Sequence, residues 1–448
     1  MARGQKSLTV HLVSLGCAKN LVDSERLLGL LSDLGLAPTT EPVKADLIVV
    51  NTCAFIGPAA QESIETILEL SQRRKPGAKL AVVGCLPARD RSALLADLPE
   101  ADLLVSRAEY ARLPELVGEL FRQKNPLRKK PFEAWPRLLG TPPWRAFLKI
   151  AEGCDNHCAY CLIPRIRGAL VCRSLPSLIS EARELARRGV QELTLVAQDL
   201  TAWRDGERDL GELVAALAGI KSLKWLRLMY AYPNRLTEKL VKRLAQTPKV
   251  VPYLDLPIQH AAPQVLKRMG RPYVDCRKLV NRLRKWWPGV ALRTTLMVGF
   301  PGETEEDFEK LRLLVTEARF EHLGVFQFEP EEPAPAARFP DQIPRAVGKK
   351  RRSILLSLQK KIALAHQRAR LGEELTVLVE GPATESSLVM TGRAYFQAPE
   401  VDGLIYFDGP QPVSGQMVQA RVLKAQAYDL AVGLIEPKAA LGSRASQL

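Results

Sequence analysis

Between residues 145 and 330 the chain repeats one pattern six times: an apolar run of strand length, a turn, then a stretch with helical spacing. The runs are "RAFLKIAEG", "ELTLVAQD", "WLRLMYAYP", "YLDLPIQH", "ALRTTLMVGF" and "HLGVFQFEP", with segments such as "LPSLISEARELARRG" and "TEKLVKRLAQ" between them. Strands alternating with helices run parallel, because each helix carries the chain back across the sheet. Six such units predict a complete or partial (β/α) barrel with its reacting groups at the C-terminal strand ends. A doubly wound sheet is the competing arrangement.

Residues 8–120 show the same alternation on a smaller scale. The runs "LTVHLVSLGC", "DLIVVNTC" and "KLAVVGC" flank the helical segments "VDSERLLGLLSDLG" and "AAQESIETILELSQRR", which predicts a doubly wound α/β domain with a parallel sheet. The Pro-rich, basic stretch 121–143 reads as a linker. The barrel and a basic exit helix, "GKKRRSILLSLQKKIALAHQRARLG", then occupy 144–370. From 371 to 437 the helical spacing disappears, and runs such as "ELTVLVEG" and "GLIYFDG" predict a small antiparallel β barrel. The chain is thus expected to be an α/β multidomain protein of three units. No apolar run approaches the roughly eighteen residues of a membrane span. The apolar N-terminal stretch is short, broken by His11 and alternates like a strand, so a cytoplasmic protein is expected.

The chain has eight cysteines, and "EGCDNHCAYCLIPRIRG" places Cys154, Cys158 and Cys161 within eight residues. Zinc would require a fourth close ligand. His157 adjoins Cys158, a spacing that rarely lets both reach one tetrahedral ion, and no second C-x-x-C or H-x-x-H pair exists. A 4Fe–4S cluster normally takes four thiolates, so three would leave one iron open to another ligand. The motif follows the first barrel strand, where a barrel places its chemistry. Cys17, Cys53 and Cys85 are scattered, yet each ends a strand expected in one parallel sheet. Neighbouring strands lie ~5 Å apart, so three such thiols can meet; the alternative is three small buried hydrophobes. Cys172 and Cys276 have no matching partners and read as structural thiols.

With Tyr160 ahead of its third cysteine, the C-x3-C-x2-C motif resembles that of radical S-adenosylmethionine (SAM) enzymes. The resemblance implies a 4Fe–4S cluster on Cys154, Cys158 and Cys161, with SAM at the open iron as the source of a 5′-deoxyadenosyl radical. A three-cysteine α/β domain, a radical SAM barrel and a small TRAM-like β barrel, in that order over about 8–436, resemble the methylthiotransferases. That family implies a second 4Fe–4S cluster on Cys17, Cys53 and Cys85 that carries the sulfur. The motifs "VSLGCAKNLVDSE", "YLDLPIQHA", "VLKRMGR", "ALRTTLMVGFPGETEEDFE" and "RAYFQAPEVDGLIYF" resemble the branch acting on small-subunit ribosomal protein twelve. The tRNA branch tends to carry Gly-Cys-Gln-Met-Asn around the first cysteine, where this chain has Gly16-Cys17-Ala18-Lys19-Asn20. The ribosomal branch often has Pro in place of Ala18.

The resemblance therefore implies methylthiolation of an aspartate β-carbon, with SAM as both radical source and methyl donor. Its partners would be ribosomal protein twelve, free or within the subunit, plus an electron donor and a sulfur donor; a monomer is expected. A tRNA adenosine methylthiotransferase is the alternative. From another class, the chain could be a non-catalytic iron–sulfur or zinc protein that binds ribosomal RNA.

Gln198, Asp199, Gln259, His260 and Arg293 lie on or near strand ends, facing either a SAM pocket or neighbouring loops. Tyr160, Gln198, Gln259 and Arg293 are the SAM-pocket candidates. Thr304 is expected to cap a helix, with Glu303 open to substrate contact. The loops "RIRG" and "RPYVDCRK" are expected to be solvated surface. Net charge is +15, but residues 371–436 carry nine acids against three bases, leaving +19 on residues 1–370. An acidic β barrel disfavours phosphate binding by that domain and suits a basic partner protein, while the basic body could approach ribosomal RNA.

Overall fold

A computed structural model describes residues 8–122 and 131–435; the middle of the linker and the end of the β domain at 436–437 lie outside them. The N-terminal sheet contains β1 (Thr9–Ser14), β2 (Ala37–Pro38), β3 (Leu47–Thr52), β4 (Lys79–Gly84) and β5 (Leu103–Ser106). All pairs are parallel, in the order β2-β1-β3-β4-β5. Every residue of β3 is buried because helices cover both faces. Leu27, Leu30 and Leu31 of the helix Ala18–Asp33 pack on one side, and Ile67 and Leu70 of the helix Gly57–Arg73 on the other. The strands that end at the three scattered cysteines, β1, β3 and β4, are neighbours. Register places Ser14 beside Asn51 and Thr52 beside Gly84, which levels their carboxyl ends.

The described part of the linker is not a free tether. Phe132 and Trp135 enter the N-terminal core, and buried Arg137 pairs with Glu25 and with Glu181, the latter at 2.7 Å. Its aromatic residues are what convert a Pro-rich segment into a strap.

The central unit has all six expected strands: β6 (Arg145–Lys149), β9 (Glu192–Val196), β10 (Trp225–Leu228), β11 (Val250–Asp255), β12 (Ala291–Val298) and β13 (His322–Gln327). They form one parallel sheet with β6 and β13 at its edges, a partial barrel. A two-residue pair, β7 (Ala151–Glu152) and β8 (Val171–Cys172), brackets the loop carrying the three-cysteine motif. Side chains alternate across the sheet. Leu148, Leu193, Leu195, Leu226, Leu254 and Leu292 meet the outer helices, whereas Phe147, Val196, Val251, Tyr253 and Ala291 share a cluster with the core of the C-terminal domain. The exit helix, Arg345–Arg368, lies along β13, where Arg352 Nε donates to Val325 O at 2.9 Å.

The C-terminal domain is a closed barrel of β14 (Glu374–Ala383), β15 (Ser386–Arg393), β16 (Ile405–Phe407), β17 (Met417–Ala425) and β18 (Leu430–Leu434). Its pairs are antiparallel except β16 with β18, which is parallel. It docks on the inner face of the central sheet, through the apolar cluster they share and a set of polar contacts. Buried Glu192 lies 2.8 Å from Arg227 Nε and 2.5 Å from Arg393 Nη2, Arg145 reaches Glu380 at 3.1 Å, and Tyr253 Oη donates to Asp402 at 2.7 Å.

This docking corrects the charge argument made from the sequence. Glu380, Glu400 and Asp402 turn toward Arg145, Arg293 and His322, while Glu374 and Asp408 pair within the domain with Arg421 and Lys424. Part of the acidic surplus, Glu380, Glu400 and Asp402, thus neutralises bases of the central unit, while Glu374 and Asp408 stay exposed. No helix among the described residues is long and apolar enough to cross a membrane.

A six-cysteine cavity between the two sheets

Glycine conformation sets the start of the site. Gly16 has φ +88°, and a Cβ there would stand 2.8 Å from Cys53 Sγ, so only glycine lets the β1 turn close on the β3 end. Cys17 follows as N-cap of the helix Ala18–Asp33, Cys53 ends β3, and Cys85 opens a short helix after β4. Buried Asn20 ties these turns together by donating to Leu15 O (2.6 Å), Asn51 O (3.3 Å) and Thr52 O (3.1 Å).

The barrel motif is held in the same way. Its backbone is pinned by Ala159 N to Met269 O at 2.9 Å, over Gly270, where a Cβ would come within 2.5 Å of His157 O. Each sulfur accepts a hydrogen bond: Cys154 from Asn156 N and Cys161 from Ile163 N, both 3.4 Å, and Cys158 from Arg271 Nη1 at 3.7 Å.

All six cysteines line one cavity of about 430 Å³ between the N-terminal sheet and the barrel mouth. Exposed Phe55 and Phe326 also border it. Burial pushes the Cys53 thiol up to about 11 and the Cys161 thiol up to about 12. Each triad has one buried arginine that works against this: Arg167 beside Cys17, Cys53 and Cys85, and Arg271 beside Cys158 and Cys161. Thiolates bound to iron are anionic, and a guanidinium beside each triad offsets that charge where water is scarce. Among the described residues no three Cys, His, Asp or Glu side chains are grouped to hold a single metal ion, and exposed His157 does not line the cavity. Three thiols around an open space suit a multi-iron cluster with one iron left free.

Behind the cavity, ion pairs join the two domains. Asp23 of the N-terminal helix meets Lys149 and, at 2.7 Å, Arg167; Glu152 meets Lys149 at 2.7 Å and Arg167 at 3.2 Å. Burial works to raise the Glu152 carboxyl, but Lys149, Arg167 and Arg107 hold it well below the usual carboxylate range.

Three of the four SAM-pocket candidates line the cavity: Tyr160, Gln198 and Gln259. The Tyr160 hydroxyl accepts from Arg271 at 3.4 Å, and Gln198 Nε2 donates to Glu152 at 3.0 Å, while its buried Oε1 has no partner. Gln259 is held at φ +73° by backbone bonds to Thr295 and Met297, and Tyr230, also in the lining, has φ +66°. Such left-handed residues concentrate at functional sites. Arg293 is not in the lining. It sits a level down the inner face, with Nε 3.8 Å from Asp402.

Asp199 bonds Asn156 (3.0 Å) and Thr201 (2.6 Å) behind the motif, and His260 accepts from Ala262 N at 3.0 Å; neither lines the cavity. Glu303 accepts from Gly299 and Phe300 backbone amides, a loop-bracing role. Cys172 and Cys276 stay outside the cavity, as expected.

In the two loops expected at the surface one arginine each is instead buried at the site, while Arg165, Pro272, Tyr273, Arg277 and Lys278 are exposed as expected. Arg167 of "RIRG" and Arg271 of "RPYVDCRK" depart from the solvated state usual for basic residues. Only the fold shows that thiols and carboxylates surround them. Lys19, Asn20, Tyr230 and Tyr232 were also missed as lining residues. Of these, Lys19 and Asn20 could have been found from their adjacency to Cys17.

Comparison with known proteins agrees with this architecture. Residues 9–106 match the model described as uncharacterized protein family UPF0004, 148–315 the radical SAM superfamily, and 371–435 the TRAM domain. A protein of Geotalea uraniireducens (strain Rf4) named ribosomal protein uS12 methylthiotransferase RimO is 44% identical over 96% of this chain and 98% of its own. A protein of the same name from Anaeromyxobacter sp. (strain Fw109-5) is 44% identical over 94% of this chain and 92% of its own. Among solved structures, the radical SAM methyltransferase TsrM from Kitasatospora setae superimposes with a TM-score of 0.54 at 16% identity. The match covers 72% of this chain and 75% of that one, a likeness of fold.

Proposed function

The chain belongs to the RimO family of ribosomal protein uS12 methylthiotransferases, and from that premise we propose that it replaces a β-hydrogen of a uS12 aspartate with SCH3. One observation carries the reading: two cysteine triads on different domains open onto one cavity. Cys154, Cys158 and Cys161 would hold the radical SAM cluster, and Cys17, Cys53 and Cys85 a second 4Fe–4S cluster; the first would supply reductive SAM cleavage and the second the sulfur, with a second SAM as methyl donor.

The chain's own residues do the rest. Tyr160, Gln198 and Gln259 shape the SAM side of the cavity, and Arg293 acts one level below, bracing the inner face. The Asp23–Lys149–Glu152–Arg167 network holds the two cluster loops at a fixed separation. Phe55 and Phe326 form an apolar rim that sheds water as substrate enters. A single chain supplies both triads, which supports action as a monomer. An external electron donor and sulfur donor are required, and reduced thiols with a ribosomal substrate support a cytoplasmic site of action.

The test is an anaerobic assay of the iron-reconstituted protein with SAM, sulfide and reductant, offering uS12 in one tube and tRNA in another. The expected product is a SCH3-for-hydrogen mass gain on an aspartate of uS12; the same gain on an adenosine would establish the tRNA alternative. Cys17→Ala should retain SAM cleavage and lose sulfur insertion, whereas Cys154→Ala should lose both. Loss of SAM cleavage in Cys17→Ala with an intact barrel cluster would contradict this division of labour.

A further inference from the structure

No aspartate or glutamate lines the cavity, whereas three cations do: Lys19, Arg167 and Arg271. Arg167 is matched by Asp23 and Glu152, and Arg271 donates to Pro257 O, Tyr160 Oη and Cys158 Sγ. Lys19 differs. Among the described residues its ammonium makes no ion pair and donates no hydrogen bond; it sits 3.7 Å from the centroid of the Tyr230 ring. Its N–H donors are therefore left to water or to an acidic ligand in the cavity. The Tyr230 ring, at a left-handed backbone position, holds it facing the cavity without satisfying its three donors.

We propose that Lys19 binds the carboxylate of the target aspartate and thereby fixes which carbon reacts. Lys19 lies two residues after Cys17, in the first turn of the helix that this cysteine caps. The aspartate β-carbon is one bond from its carboxylate carbon. An anchored carboxylate therefore holds the β-carbon near the N-terminal triad, in the cavity that the barrel triad also lines. Arg271 stands beside Cys158, so each triad has a cation close to it in the cavity lining. A neutral substrate would leave the ammonium unpaired, making Lys19 a determinant against nucleobases and amides as well as for aspartate.

This inference rests on the uS12 reading, and its test separates the two. Wild-type enzyme, Lys19→Met and Lys19→Arg are each given uS12 and uS12 whose target aspartate is replaced by asparagine. Binding to the cluster-loaded enzyme is measured without reductant, and kcat/KM with it, normalised to iron content. Wild type should prefer the aspartate protein by roughly 30-fold or more, the scale of a desolvated charge pair. Lys19→Met should bring that ratio close to one through loss of aspartate binding, while Lys19→Arg keeps most of it. An undiminished aspartate preference in Lys19→Met overturns the proposal, as does a raised KM for SAM with the preference intact, which would assign Lys19 to the SAM carboxylate. Should Lys19→Met fail to load its clusters, the binding ratio of Lys19→Arg decides: a ratio near one overturns the proposal. If wild-type enzyme modifies neither protein, the uS12 reading itself falls.

Discussion

At the scale of single residues, the site depends on atoms that are missing as much as on those present. Gly16 is the sharpest case, since a methyl group there meets both Cβ and Sγ of Cys53, at 2.6 and 2.8 Å, in a conformation that already costs an L-residue about 1–2 kcal/mol. Gly16→Ala should therefore displace the Cys53 thiol and cost the N-terminal cluster, leaving the barrel cluster and SAM cleavage. Iron content should fall by about half on reconstitution; full iron loading would show that the turn can relax. The two buried arginines act at the same scale, one per triad, and no property of a lone arginine in a sequence distinguishes them from solvated ones.

At the scale of elements, local chemistry and tertiary packing agree wherever the signal is short-range. Thr304 accepts from Asp307 N at 3.2 Å while Asp307 reaches back to Thr304, a reciprocal cap on the helix Glu305–Ala318. That helix buries Phe308, Leu311, Leu314 and Val315 against the barrel. Thr304→Ala should cost about 1 kcal/mol, seen as a lower unfolding midpoint with kcat unchanged, because the cap does not line the cavity. A drop in activity per folded molecule would instead place this turn in the reaction.

At the scale of the whole molecule, the three units are joined by buried ion pairs that span domains. Glu192 shows the energetics: burial pushes its carboxyl up, but Arg393 and Arg227 hold it down at about 2. An unfolded glutamate titrates near ~4.3, so this contribution to stability is present in full above that pH and is lost as pH falls through the folded value. Glu192→Gln should be markedly less stable than wild type at pH 7, with the gap narrowing from about pH 4.3 downward in urea unfolding at stepped pH. A gap independent of pH would mean that shape, and not charge, holds the domains together. Arg393→Met should loosen the C-terminal barrel from the sheet at a cost of roughly 3–5 kcal/mol, because it leaves Glu192 and Glu380 short of a partner. Faster proteolytic release of that barrel would report it.

What the sequence determined by itself was whatever repeats or is local. Alternating strands and helices specified both parallel sheets, the loss of helical spacing at 371 specified the small barrel, and the C-x3-C-x2-C spacing with three cysteines after strands singled out the six thiols that line the cavity, because periodicity and strand direction are properties of short stretches. Tertiary structure alone decided that the two triads share one cavity, that the linker straps the first domain, and that Glu380, Glu400 and Asp402 of the last domain pair with bases of the central unit. It alone also left Lys19 over the Tyr230 ring without an ion pair among the described residues while pairing Arg167. Pairing and burial depend on contacts between residues more than a hundred positions apart, such as Asp23 with Lys149 and Glu192 with Arg393, and no local pattern encodes which distant charge a side chain will meet.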